Sequence, residues 1–124
     1  MEIRNFWAAV LRQDREALAG FFWEDAVINW HNTNECFTAA EFIQANCGYP
    51  GQWDGNLERI IELGDQVITV THVYNKEGTI SCHAVSFFRI REDKILSMDE
   101  YWGDDGLPPR WRQDMRLGRP IQEK

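Results

Sequence analysis

The chain has 124 residues, 44% of them hydrophobic and 27% charged, the length and composition of one globular domain with a core of its own. A formal net charge of −7 argues against nucleic acid as a partner, since phosphate binding needs a positive field. No apolar run approaches the roughly 20 residues that span a bilayer. The N-terminus is interrupted by Arg4, Arg12, Asp14 and Arg15, leaving no secretory apolar stretch, so the expected location is cytoplasmic.

Ile3, Phe6, Trp7, Val10 and Leu11 recur at helical spacing and predict an amphipathic helix over 2–12. Asp14 is the expected N-cap of a second helix, with Ala17, Leu18, Phe21 and Phe22 on one face. Ala26 to Trp30 reads as a strand and residues 31–34 as a polar turn. Thr38-Ala39-Ala40-Glu41 is a capping box, which opens a third helix that Gly48 stops; Tyr49-Pro50-Gly51 is a loop.

Beyond Leu57 the pattern is β throughout. Segments 57–63, 67–74, 79–90 and 94–102 are rich in β-branched and aromatic residues, and the separators between them are too short for parallel crossovers. The expected fold class is therefore α+β. Residues 1–106 read as one domain and 107–124 as a C-terminal arm that packs on the domain or on a partner subunit.

Period-two alternation assigns Ile68, Val70, His72 and Tyr74 to the inner face of the second meander strand. It puts Cys82, Ala84, Ser86 and Phe88 on one face of the third strand, and Leu96, Met98, Glu100 and Trp102 on one face of the last. His83 falls on the opposite face. Both faces carry apolar groups, which predicts a homodimer through the outer one.

The segment from Phe22 to Val27, the hairpin Arg91-Glu92-Asp93-Lys94-Ile95 and the run Glu100-Tyr101-Trp102-Gly103-Asp104 carry a resemblance that covers about residues 2–105. In their order and spacing they resemble the nuclear transport factor two-like superfamily, and its SnoaL-like members in particular. The resemblance implies a cone-shaped, strongly curved antiparallel sheet wrapped over three N-terminal helices and enclosing a pocket. That superfamily holds isomerases, cyclases, dehydratases, hydrolases and non-catalytic binders, so the fold does not settle the function.

Against the ketosteroid isomerases, the resemblance puts Ser86, Trp30 and Phe6 where those enzymes keep a protonated Asp, a general-base Asp and an oxyanion-binding Tyr. An isomerase of that mechanism is not expected. Likeness to the cyclases implies an acid/base carboxylate near the end of the last strand, which is Glu100 or Asp104 here.

Glu100 is the expected acid/base, because a carboxyl between Met98 and Trp102 in an apolar pocket should titrate near neutrality. His72 is expected to assist it, although a satisfied core histidine reads equally well. Trp30, Tyr49, Trp53, Val70, Ser86, Phe88, Met98 and Trp102 are the expected ligand-binding residues, and a hydrophobic organic small molecule is the expected ligand. Cys36, Cys47 and Cys82 are an odd number with no C-x-x-C spacing, and no His, Cys, Asp or Glu pair shows a metal-ligand spacing. Neither a metal nor a cofactor motif is read from the sequence. Two functions follow: a cofactor-independent isomerase, cyclase, dehydratase or hydrolase, or a binding or interaction module without catalysis.

Overall fold

The computed structural model describes residues 1–122. In chain order its elements are α1 (Ile3–Leu11), α2 (Arg15–Ala19), β1 (Phe22–Trp30), β2 (Glu35–Thr38) and α3 (Ala39–Gly48). These are followed by β3 (Trp53–Leu63), β4 (Gln66–Asn75), β5 (Ser81–Arg91), β6 (Lys94–Asp104) and α4 (Arg110–Asp114). The six strands form one curved, unclosed sheet in the order β2-β1-β6-β5-β4-β3, with helices α1 to α3 on its concave side.

The helix signals hold. Asp14 accepts from the Ala17 amide at 3.0 Å and caps α2. Thr38 and Glu41 exchange the two bonds of a capping box, at 2.9 and 3.2 Å, and start α3. On α1, Ile3, Phe6, Trp7, Ala9 and Val10 are buried, the stripe that helical spacing predicts. Phe6 is fully buried and meets Trp7, Phe21, Phe22 and Phe88 edge to face, with ring centroids 5.4 to 6.0 Å apart. The position matched to an oxyanion-binding Tyr thus belongs to the core.

Several expectations are corrected. Phe22 is the first residue of β1, so the second helix is shorter and the strand longer than the sequence suggested. The short β2 pairs antiparallel with β1 and was not expected. Nor is the sheet wholly antiparallel: β1 runs parallel to β6, with Ile28 beside Met98 and Trp30 beside Glu100. Strand β2, helix α3 and strands β3 to β5 lie between them in sequence, which gives the chain room to make that pairing.

The faces of β4 are the reverse of those expected. Thr69, Thr71, Val73 and Asn75 are buried, whereas Ile68, Val70, His72 and Tyr74 are only partly covered, on the outer face. Threonine is shaped like valine and fits an interior when its hydroxyl is satisfied; Thr69 Oγ1 accepts from the Trp7 indole at 3.1 Å, fixing α1 to the sheet. On β6 a register shift opposite Arg89 and Ile90 turns Ile95 inward, where it is fully buried.

Residues 103–122 are exposed, α4 included, and the last two residues of the arm lie outside the described ones. Among the described residues no helix is long and apolar enough to cross a membrane.

Candidate functional site

A cavity of about 270 Å³ opens between the C-terminal ends of α1 and α3 and the wide end of the sheet. Val10 and Leu11 wall it from the last turn of α1, Val73, Ile80 and Cys82 from β4, β5 and the loop between them. Trp30, Trp53 and Trp102 contribute three indoles, and Tyr49 packs edge-on against Trp53 at 4.8 Å. The rim is polar: Gln13, Asn32, Thr33, Asn46 and Asp104.

The rim is built from local backbone chemistry. Gln13 leaves α1 with a φ of 56°, a turn that ends the helix and sends its amide toward α3. Its Nε2 donates to the carbonyls of Asn46 and Tyr49 at 2.9 and 2.7 Å, and Asn46 Nδ2 donates back to Val10 O at 3.1 Å. These bonds hold the two helix ends together at the mouth. Across from them, Asn32 Oδ1 accepts from the Trp102 amide at 2.7 Å and fixes the β1–β2 turn over β6.

Four of the expected ligand-binding residues, Trp30, Tyr49, Trp53 and Trp102, meet in this cavity. Ser86, Phe88 and Met98 do face inward but are fully buried deeper in the cone, away from the cavity wall. Val70 and His72 lie on the outer face, a correction that follows from the reversed faces of β4. His72 is stacked there on His83 at 4.8 Å, its cross-strand partner, and cannot orient Glu100.

Glu100 sits behind the indoles, 2% exposed. Its Oε1 accepts from Trp30 Nε1 at 3.0 Å and its Oε2 from Ser86 Oγ at 2.6 Å. Burial pushes its pKa from 4.5 up to about 7, against the pull of hydrogen bonds from Ser86, Trp30 and Trp102. Glu100 does not itself line the cavity; Trp30 and Trp102 touch both. Asp104 is the carboxylate on the cavity rim.

Two groups in the walls bear on chemistry. The Cys82 thiol, which donates to Val73 O at 3.6 Å, is pushed up to about 11 by burial and by the nearby Asp104 and Asp105. It is a thiol, not a thiolate, at neutral pH, and so a poor nucleophile. Among the described residues the buried Trp53 indole N–H has no hydrogen-bond partner, which leaves an unmet donor on a cavity-lining residue.

The sequence missed Val10, Leu11, Val73, Ile80 and Cys82 as cavity walls. Their only signal was apolar character, which core residues share.

The structure is similar to that of a protein from Kribbella flavida, provisionally described as a ketosteroid isomerase, with a TM-score of 0.80 at 20% identity over 98% of this chain and 88% of that one. A nuclear transport factor two-like protein of unknown function from Burkholderia xenovorans gives 0.75 at 19%, covering 97% and 92%. An LEH-like epoxide hydrolase from M. tuberculosis gives 0.68 at 13%, covering 82% and 79%. At these identities the likeness establishes the fold. A comparison with curated proteins finds no match. The model of the SnoaL-like domain matches residues 3–98, from the first turn of α1 to the middle of β6, and the chain belongs to that family.

Proposed function

We propose that this domain binds a small apolar organic molecule carrying a hydrogen-bond acceptor, in the cavity walled by Trp30, Trp53 and Trp102. The observation that carries this reading is the wall itself: apolar and aromatic inside, polar at the rim, with one buried indole N–H unmet. A carbonyl, ether or hydroxyl oxygen on the ligand would supply the partner Trp53 lacks. Since a cavity of about 150 Å³ accommodates benzene, about 270 Å³ suits a molecule of one or two small rings.

Indole N–H resonances test this directly. A panel of cyclic ketones, lactones and aromatic alcohols is titrated into nitrogen-15-labelled protein. The signals of Trp30, Trp53 and Trp102 should move on saturation, while those of Trp23 and Trp111, which do not line the cavity, stay still. A panel that moves none of the three, or moves Trp23 and Trp111 equally, overturns the proposal.

A second reading rests on Glu100. A carboxyl with a pKa of about 7, one indole away from the cavity, has the acidity that proton transfer at neutral pH requires. Isomerisation, cyclisation, dehydration or hydrolysis would need no more than this acid/base and a shaped cavity. Ligand contact would require Trp30 or Trp102 to turn aside. On this reading Glu100→Gln abolishes turnover of a ligand found by the titration and leaves its affinity intact. Turnover that survives in Glu100→Gln removes Glu100 as the acid/base.

A further inference from the structure

The outer face of the sheet gathers Glu58, His72 and His83 from three neighbouring strands, with His72 and His83 on the opposite face from the cavity-lining Val73 and Cys82. One imidazole nitrogen from each histidine and one Glu58 oxygen lie within 4.8 Å of one another. His72 and His83 are register partners on β4 and β5, their rings stacked at 4.8 Å and 13°. Glu58 is the extra residue of a bulge in β3, between the pairs Leu57–Thr71 and Arg59–Val70. A bulge re-aims a side chain. Here it brings the carboxylate across β4 to within 3.3 and 3.4 Å of His83 Nε2.

A second layer holds the imidazoles. Asp105 bonds to His83 Nδ1, which leaves Nε2 facing Glu58. Ser81 Oγ donates to Asp105 at 2.6 Å, so its lone pair accepts from His72 Nε2 at 2.8 Å. One carboxylate thus orients both rings, one directly and one through a hydroxyl. A carboxylate behind a histidine is the arrangement that fixes ring orientation at metal centres.

We propose that Glu58, His72 and His83 form a site for a zinc-class divalent cation on the outer face of the sheet, with Asp105 as the positioning residue for both histidines. Two imidazoles and one carboxylate are a donor set of zinc with a fourth position open to water. The side chains of His72, His83 and Glu58 are 27, 40 and 39% exposed, so a cation has access. Tetrahedral coordination at about 2.0–2.1 Å needs donors roughly 3.4 Å apart, so the cluster closes by about an ångström through side-chain rotation. The three ligands are 14 and 11 positions apart, on separate strands, so no local spacing reveals them. The cluster differs from the proposed ligand site in residues, face and chemistry.

The test uses the full chain without a polyhistidine tag, loaded with Zn²⁺ and dialysed against metal-free buffer, with bound metal counted by mass spectrometry. One equivalent per chain is expected. His72→Gln and His83→Gln should each lose it, and Asp105→Asn should weaken it about 10- to 100-fold. Cys36→Ser and His31→Gln, which alter other exposed donors, should retain the full equivalent. Co²⁺ in place of Zn²⁺ should give d–d absorption without a thiolate charge-transfer band. Glu58→Gln changes only an exposed side chain and should also weaken binding, which covers the case of a histidine variant that fails to fold. Wild-type protein that retains no metal overturns the proposal. So does metal that survives loss of both histidines, or that depends on Cys36 or His31.

Discussion

Trp30 and Glu100 are register partners across the parallel pairing of β1 with β6, and the Trp30 indole donates to the Glu100 carboxylate at 3.0 Å. Ser86, the partner of Glu100 on the other side, donates at 2.6 Å. Side chains at paired positions share a face, so three adjacent strands place a donor, an acceptor and a donor in one buried row. This row takes in Ser86 and Trp30, the two positions that the sequence resemblance set against a catalytic Asp pair. It makes Glu100 a satisfied carboxyl, yet one whose charged form is costly in so dry a site.

That cost has a pH signature. Glu100 has a folded pKa raised from 4.5 to about 7, so the native state holds a proton that the unfolded chain has released. Stability on this account is unaffected below about pH 4.5, falls as pH rises from 4.5 to 7, and levels off above. The size of the shift corresponds to about 3 kcal/mol at most. Urea unfolding at intervals from pH 4 to 9 should show this decline in the wild type. In Glu100→Gln the decline should be flattened, with the variant the more stable of the two above pH 7. Parallel profiles for the two proteins would mean that Glu100 is ionised at ordinary cost.

Ser86→Ala removes a donor that holds the Glu100 pKa down, so the carboxyl should titrate higher still. The variant should lose about 1–3 kcal/mol where Glu100 is ionised, and less where it is protonated. The side-chain carboxyl carbon of Glu100, followed by NMR across the pH range, reports the shift directly. An unchanged midpoint would show that burial and the indoles of Trp30 and Trp102 set the acidity without Ser86.

Sequence periodicity showed the helices and the β-meander because local chemistry enforces them: the capping box at Thr38 and Glu41, and the apolar stripe of α1. It misread β4 because Ile68, Val70 and Tyr74 look like core, whereas the buried positions there include Thr69 and Thr71. Only the Trp7 indole, 62 residues away in sequence, makes Thr69 a sensible interior residue. The start of β3 was hidden by Asp54-Gly55-Asn56, a turn-like string that the structure uses as strand. Trp30, Tyr49, Trp53 and Trp102 were found by their size. The walls of the cavity were not, since enclosure depends on how α1 meets the sheet.

The homodimer expected from the sequence remains a proposal, and the outer face is its place. Val27, Phe87 and Tyr101, on the adjacent strands β1, β5 and β6, are 43, 40 and 46% exposed there. Sedimentation equilibrium with a chelator present, which removes any metal bridge, should give twice the chain mass of 14.6 kDa. Phe87→Glu with Tyr101→Glu should reduce it to one chain. A wild type already at one chain mass would leave those side chains without that role.

Gly55 decides how closely β3 approaches β4 and α1. A Cβ at this position would lie 2.4 Å from the backbone oxygen of His72, its neighbour on β4, and 3.3 Å from Leu11 Cδ1. Backbone oxygen cannot rotate away as a side chain can, so Gly55→Ala must push the strands apart or twist β3 outward. Leu11 and Trp53 both wall the cavity, and Trp53 begins β3 two residues before Gly55. The substitution should therefore cost about 1–3 kcal/mol of stability and also weaken ligand binding at the cavity. A Gly48→Ala control, where an added Cβ meets nothing within 4 Å, should cost little and leave binding intact. Thermal unfolding and the indole titration on the same three proteins separate the effects. Equal stability of Gly55→Ala and wild type would mean that the sheet yields freely there and that the close approach does not shape the cavity.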